Sequence, residues 1–348
     1  GRRTCFSCSI RCKREVRVTG RHALNSAYGG PEYETLDGFG GNCGIDDLAG
    51  IAKANELCNR YVIDTISTSA TIAFAMECYE RGLIGTADTG GIELRFGNLD
   101  ATLRMIELIA RREGFGALLA EGSRRAAEVI GGEAPGFAMH VKGEELPMHD
   151  PRGKVGVGLG YAIGETGADH LCATHDTMLV NPESISFKAA VPLGVDPLPA
   201  RELGERKARN YAILENWASF GKVTGMCFFG PAPRSFIAVD EIVQLVRAVT
   251  GWDVALDDLL RIGERATNLA RAFNVLHGFS RTDDTLPPRL FEPLPCGPME
   301  GVAISKPEFE RTMGALYELK GWNPVTAAPT RDRLRGLQIE WVADLLEA

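Results

Sequence analysis

The chain has 348 residues, 45% hydrophobic and 24% charged, with 38 Lys and Arg against 46 Asp and Glu for a net charge of −8. That length supports a sizeable core and more than one domain, and the acidic balance disfavours nucleic acid and anionic membranes as partners, since both select basic surfaces. No apolar run approaches the ~18–20 residues of a membrane span, and the polar start Gly1-Arg2-Arg3-Thr4-Cys5 is no secretory signal; without an initiator Met, residue 1 is expected to be a processing or fragment boundary.

In chain order, the first feature is Cys5-x2-Cys8-x3-Cys12. Such spacings let thiolates converge from a loop or a first helical turn on an iron–sulfur cluster or a zinc ion. Each needs four ligands, so the fourth is expected elsewhere in the chain. Arg11, Lys13 and Arg14 suit either group, because positive charge stabilises a thiolate cluster. The nine cysteines (5, 8, 12, 43, 58, 78, 172, 227 and 296) are an odd set without a secretory signal. Reduced thiols in a cytoplasmic protein are therefore expected, rather than a disulfide framework. The segment 14–20 (REVRVTG) reads as a strand. Gly29 to Thr35 (GGPEYET) sets Glu32 and Glu34 two residues apart in a glycine-rich stretch, which suits acid/base work or a solvated turn.

Further along, GFGG at 38–41 reads as a loop. Asp46–Tyr61 has helical spacing with acidic residues in its first turn. Asp64 can cap a helix running to Gly82 that is apolar almost all round and so should be buried. Asn98 can cap the next, with Leu103, Ile106, Ile109 and Ala110 on one stripe. GALLAEGSRRAAEVIGG (116–132) reads as another short helix ending in a glycine pair. GFAMHVKG (136–143) is a second strand candidate, and a seam between two helical halves is expected around Pro135–Pro151. Leu146–Gly153 contains His149, Asp150 and Arg152; Arg152 can hold a phosphate or make a surface ion pair. GKVGVGLG (153–160) reads as a loop whose amides approach a ligand closely. Gly167–Asp176 gathers His170 and His175 with Asp169 and Asp176, one histidine suited to acid/base work and one to core packing. Helices are expected at Glu205–Trp217, Asp240–Thr250, Leu256–Leu276, Glu308–Lys320 and Ile339–Leu346. Between the first two of these, Cys227 in GMCFF (225–229) is either a buried, inert thiol or a distant fourth cluster ligand. Cys43, Cys58, Cys78 and Cys296 read as core or incidental. The fold class is mainly α, multihelical, with two all-α subdomains at 1–140 and 141–348 and little β.

Taken together, CFSCSIRCKR (5–14), GGPEYET (29–35), LCNRYVIDTIST (57–68), ELPMHDPRG (145–153), GADHL (167–171), GMCFF (225–229) and the long segment 264–298 resemble the aldehyde:ferredoxin oxidoreductase family of tungsten, less often molybdenum, enzymes. The likeness covers essentially the whole chain and corresponds to the family's two C-terminal helical domains; the family's N-terminal pterin-binding domain is not in this sequence. The resemblance implies that Cys5, Cys8, Cys12 and Cys227 bind one [4Fe–4S] cluster. It implies that Glu34 (or Glu32) and His170 are the carboxylate and imidazole near the metal. Asn59 to Asp64 matches a family segment Asp-x-x-Gly-Leu-Asp that reaches one pterin of a bis-pterin cofactor. Lys222 to Cys227, with Gly225, matches the sister segment Asp-x-x-Gly-Leu-Cys that reaches the other. Asp150 and Arg152 would lie near pterin phosphate or ring edges. Both pterin segments depart from the family pattern, and Lys222 offers a cation where the family offers an anion. The implied activity is oxidation of an aldehyde to a carboxylic acid, with electrons passing through the cluster to ferredoxin or another redox protein and self-association left open. This chain alone is expected to be weakly active. An iron–sulfur electron-transfer module without metal-pterin, and a zinc-stabilised helical protein, are the alternatives.

Overall fold

Capping chemistry sets where the early helices begin. In the computed structural model, which describes residues 1–234 and 237–347, the chain divides into two compact units, Gly1–His149 and Asp150–Ala348. The first opens with β1 (Arg2–Arg3) and β2 (Lys13–Arg14), paired antiparallel on either side of the loop that carries three cysteines. A short helix α1 (Tyr33–Asp37) runs into a π-helical turn at Gly38–Asn42. Asp47 caps α2 (Leu48–Tyr61) through the Ala49 and Gly50 amides. Asp64 caps α3 (Thr65–Glu80) through Ser67, and Asn98 caps α4 (Leu99–Arg111) through Ala101. In each case a side-chain oxygen satisfies backbone N–H groups that the helix cannot. α5 (Phe115–Leu119) and α6 (Ser123–Ile130) follow. Gly122 gives α6 no side-chain cap, so the buried Glu145 carboxylate takes that place, accepting from Ser123 N and Oγ at 2.7 and 2.8 Å. Glu145 belongs to β4 (Glu144–Glu145), which pairs with β3 (His140–Val141).

The core of this unit forms around α3, whose Ile72, Ala75, Met76 and Cys78 are wholly buried with Phe39, Leu94, Met105 and Ile106. Two glycines permit the close approaches. A Cβ on Gly50 of α2 would stand 2.2 Å from the Leu99 side chain, and one on Gly116 of α5 would stand 2.3 Å from the Leu108 backbone.

The second unit contains α7 (Val155–Ile163), α8 (Ile185–Ala190), α9 (Glu205–Val223), α10 (Val239–Thr250), α11 (Leu256–Leu276), α12 (Lys306–Lys320), α13 (Arg331–Gly336) and α14 (Trp341–Glu347). α9 packs against both α11 and α12. Its contact with α11 is backbone to backbone, because a Cβ on Gly263 would lie 1.8 Å from the Asn216 carbonyl oxygen. Among the described residues, the most deeply buried charges of this unit are paired. Arg271 donates to Asp284 at 2.9 and 2.6 Å while the Tyr317 hydroxyl binds the same carboxylate. Lys320 pairs with Glu215, and Lys207 with Asp176.

The mainly helical fold class holds. The expected strands at 14–20 and 136–143 shrink to Lys13–Arg14 and His140–Val141, because each finds only a two-residue partner for its backbone groups. The loop expected at 38–41 is the π-helical turn, and the loop expected at 153–160 is mostly helix α7. Its glycines serve packing: Cβ atoms on Gly156, Gly158 and Gly160 would come within 2.7 Å of Asp176, 3.0 Å of Pro151 and 3.3 Å of Tyr211. Among the described residues no helix is long and apolar enough to cross a membrane.

Close packing at Gly263 gives opposite expectations for two helical glycines. Gly263→Ala should lower the unfolding free energy by about 3 kcal/mol, since the new methyl has nowhere to go. Gly314→Ala in α12, where nothing lies within 4 Å of the added Cβ, should raise it by about 0.5–1 kcal/mol. Urea unfolding of the two variants measures both signs.

Candidate functional site

Between β1 and β2 the chain must turn within nine residues, and it does so with Ser7 and Arg11 both at φ +53°. The turn is pinned by the Cys8 amide donating to the Cys5 carbonyl at 3.2 Å and by the Thr4 hydroxyl on the Cys8 carbonyl. Backbone amides of Ile10 and Arg11 point at the Cys8 sulfur and hold its thiol below the ordinary range, as amides turned inward by left-handed residues do for anions. Cys5 and Cys12 are exposed and Cys8 is half-buried. Cys43 and Cys58 differ sharply, burial pushing each thiol up to about 12. Three sulfurs on one loop, with one thiolate favoured by amides, is a donor set that fits a cluster or a metal ion.

In the same unit, the two carboxylates of the Glu32–Glu34 pair have different surroundings. Glu32 precedes α1, is 59% exposed and is bound by Arg14. Glu34, in the first turn of α1, is only 12% exposed. It accepts the Met148 amide at 2.7 Å and lies 2.9 Å from His149 Nε2. Tyr33 stacks on the His149 ring at 5.3 Å, 16° from parallel, and its hydroxyl donates to the Met148 carbonyl at 3.3 Å. One turn on, Asp37 is held above the usual carboxylate range by burial and by the nearby Glu34 charge. Glu34 and His149 thus form a sheltered carboxylate–imidazole couple able to hold and pass a proton. The sequence shows His149 beside Asp150 and Arg152 but assigns it no role; its pairing spans most of the unit, which local spacing does not reveal.

In the second unit, His175 is the packed histidine: its Nε2 lies 2.9 Å from the His170 carbonyl oxygen and its Nδ1 3.2 Å from Lys154 Nζ. His170 is half-buried in the neighbouring loop. Asp169 beside it is buried enough to disfavour its charge, yet Lys222 and the Leu171 amide hold it below the usual range. Cys227 is exposed rather than sealed in the core. It lines a cavity of about 80 Å³ walled by Trp217, Met226, Phe228 and Pro231. Arg234 lies 4.2 Å over the Phe228 ring, and burial lowers its pKa to about 10. Gly225 has φ +73°, and nothing lies within 4 Å of where a Cβ would stand, so backbone can approach a ligand there.

The other residues implied for pterin contact have internal partners. Asn59 donates to the Tyr28 carbonyl at 3.0 Å, and Asp64 caps α3 at 2.6 Å. Arg152 is 8% exposed; it pairs with Asp150 at 2.7 Å and donates to the Glu292 carbonyl at 3.2 Å. Asp150 keeps a 44% exposed side chain.

Residues 1–339 match the family described as aldehyde ferredoxin oxidoreductase, domains 2 & 3. A tungsten-containing aldehyde ferredoxin oxidoreductase from Pyrococcus horikoshii is 37% identical over 342 residues, 97% of this chain and 52% of that relative. One from Pyrococcus furiosus is 37% identical over 96% of the chain and 52% of its own length. A P. furiosus protein named aliphatic sulfonate oxidoreductase, WOR-like subunit, is 28% identical over 91% of the chain and 47% of its length. The chain spans about half the length of the curated relatives it matches. Among solved structures, the active-site complex of benzoyl coenzyme A reductase with 1,5-dienoyl-CoA superposes with a TM-score of 0.75 at 21% identity, over 98% of this chain and 53% of that one; at that identity the likeness concerns the fold.

Two measurements check this geometry. At pH 8 under anaerobic conditions, a thiol reagent should label Cys5, Cys8, Cys12, Cys227 and Cys296 in metal-free protein and spare the buried Cys43, Cys58, Cys78 and Cys172, as read by peptide mass. Asp37, with its folded pKa raised, contributes stability that is full below the ordinary aspartate range of about 4 and is lost as pH rises through the folded value. Unfolding midpoints from about pH 4 to 7 should therefore show a loss that Asp37→Asn lacks, because the amide mimics the neutral acid.

Proposed function

This chain belongs to the aldehyde ferredoxin oxidoreductase family, in the part described as domains 2 and 3, and we propose that it is the cluster-bearing portion of an oxidoreductase that converts an aldehyde to a carboxylic acid. The observation that carries the reading is the three-cysteine loop with its inward amides, together with an exposed Cys227. In this reading Cys5, Cys8, Cys12 and Cys227 hold a [4Fe–4S] cluster, the set of four thiolates that such a cluster requires. A tungsten- or molybdenum-pterin would lie by Gly225 and the exposed edge of Asp150. The metal-pterin supplies the two-electron redox chemistry and the cluster the single-electron steps.

The chain's own residues manage protons. Oxidation of an aldehyde with water to an acid releases two electrons and two protons. Glu34, sheltered and hydrogen-bonded by Met148, receives a proton and shares it with His149 across 2.9 Å. Stacking on Tyr33 fixes the imidazole plane for that transfer. His170 is the second proton-handling imidazole, and Glu32, bound by Arg14 in solvent, is a surface residue in this scheme. Ferredoxin or another redox protein takes the electrons.

A second reading, an iron–sulfur electron-transfer module without metal-pterin, is favoured by one observation. Arg152, 8% exposed and bonded to Asp150 and to the Glu292 carbonyl, would have to give up internal bonds to meet a pterin. Elemental analysis of anaerobically prepared protein separates the readings. About four irons per chain are expected, falling in Cys8→Ser and Cys227→Ser but not in Cys43→Ser. Tungsten or molybdenum alongside iron supports the oxidoreductase, and iron alone leaves the module or a half-site that awaits the family's pterin-binding domain. Zinc without iron after anaerobic reconstitution overturns both.

A further inference from the structure

At position 222 the chain carries Lys where the resembling family segment carries Asp. Lys222 lies in the last turn of α9, where exposed helix carbonyls favour a cation. Its Nζ reaches Asp169 Oδ2 at 2.9 Å and Glu165 Oε1 at 3.2 Å, with the side chain 35% exposed. Both partners are tied down in turn. Asp169 accepts the Leu171 amide at 2.7 Å, and the Glu165 carbonyl accepts Asn274 Nδ2 of α11 at 2.8 Å. Burial opposes the ammonium charge, but the Glu165 and Asp169 carboxylates outweigh it and keep Lys222 protonated. One cation between two carboxylates leaves a local charge of −1. An aspartate at 222 would instead bring three carboxylates together, and like charges at that range repel.

We propose that Lys222 is a positioning residue: by bonding Glu165 and Asp169 at once, it fastens the 164–171 segment that carries His170 to the end of the helix leading into Cys227. The clamp rests on the observed contacts, and its bearing on electron transfer rests on the reading of Cys227 as a cluster ligand. The substituted position is thus compensated locally, its anion supplied by the excess carboxylate of the triad rather than by residue 222. Glu165 is the residue that makes this possible, because Asp169 alone would only neutralise the lysine.

The test compares Lys222→Arg, Lys222→Met and Lys222→Asp in the whole chain by hydrogen exchange of peptides covering 164–171, with urea unfolding run alongside to separate local from global effects. Arg should keep wild-type protection. Met should exchange about tenfold faster in that segment, the loss expected for charge-assisted bonds that hold a local structure closed, and Asp faster still. In iron-loaded protein, the cluster midpoint potential should fall in Lys222→Met and be restored in Lys222→Arg, because the lost positive charge had favoured the reduced cluster. Wild-type protection in Lys222→Asp overturns the clamp, as does unchanged exchange in Lys222→Met. A potential that does not move in Lys222→Met overturns the link to Cys227. If the Asp variant does not fold, the Met and Arg pair decides. Protein that takes up no iron but shows the exchange pattern refutes the proposed function and leaves the clamp standing.

Discussion

Charge cannot be buried alone, and that constraint organises the second unit around α9. The helix carries Lys207, Glu215 and Lys222, about two turns apart, and each meets its counter-charge on a different segment: Asp176, Lys320 and the Glu165–Asp169 loop. The first two pairs are almost wholly removed from solvent. Breaking a pair at such depth leaves an uncompensated charge, which costs far more than the intact pair contributes. The pairs therefore act less as stabilising contacts than as rules about which segments lie against α9. Gly263 adds a steric rule of the same kind, since only a residue without a Cβ lets α11 come so near.

The first unit solves a related problem at Glu34. A carboxylate at 12% exposure needs donors, and it finds one in a backbone amide and another in an imidazole. Glu32, two residues earlier, stays in water with an arginine. The alternation of faces at the start of α1 thus separates two chemically identical groups into a sheltered proton carrier and a solvated ion pair. The same contrast runs through the cysteines. Burial raises Cys43, Cys58, Cys78 and Cys172 out of the reactive range, while inward amides lower Cys8. Environment, not residue type, sorts the thiols into inert and ligand-competent sets.

What the sequence reveals and what it hides follow from range. Asp64 and Asn98 mark helix starts because capping involves residues three positions apart, and the full extent of α11 can be read because its pattern is long and periodic. The Cys5–Cys8–Cys12 motif is legible for the same reason. Glu34 stands out in the sequence, but its preference over Glu32 depends on Met148 and His149, which local spacing cannot reach. The 14–20 segment has strand-like alternation, yet a strand is defined by its partner, and β1 offers only two residues. Lys222 reads as a simple charge reversal in the sequence; only the contacts to Glu165 and Asp169 show what the cation does. Arg152 reads equally well as a phosphate ligand or an ion-pair partner; its short contacts to Asp150 and to the Glu292 carbonyl are internal.

α7 shows how far context can override local preference. Three of its nine residues are glycine, each about 1 kcal/mol worse than alanine in a helix, so the segment has little tendency to coil by itself. Its glycines are there because Asp176, Pro151 and Tyr211 lie within 2.7, 3.0 and 3.3 Å of where their Cβ atoms would stand. Its N-terminal turn is anchored by the Gly156 amide donating to Asp176 at 2.9 Å, and Asp176 is itself held by Lys207. A helix of this kind is a product of assembly: what holds it is the surface it packs on and the Asp176 carboxylate at its first turn, not a coiling tendency of its own.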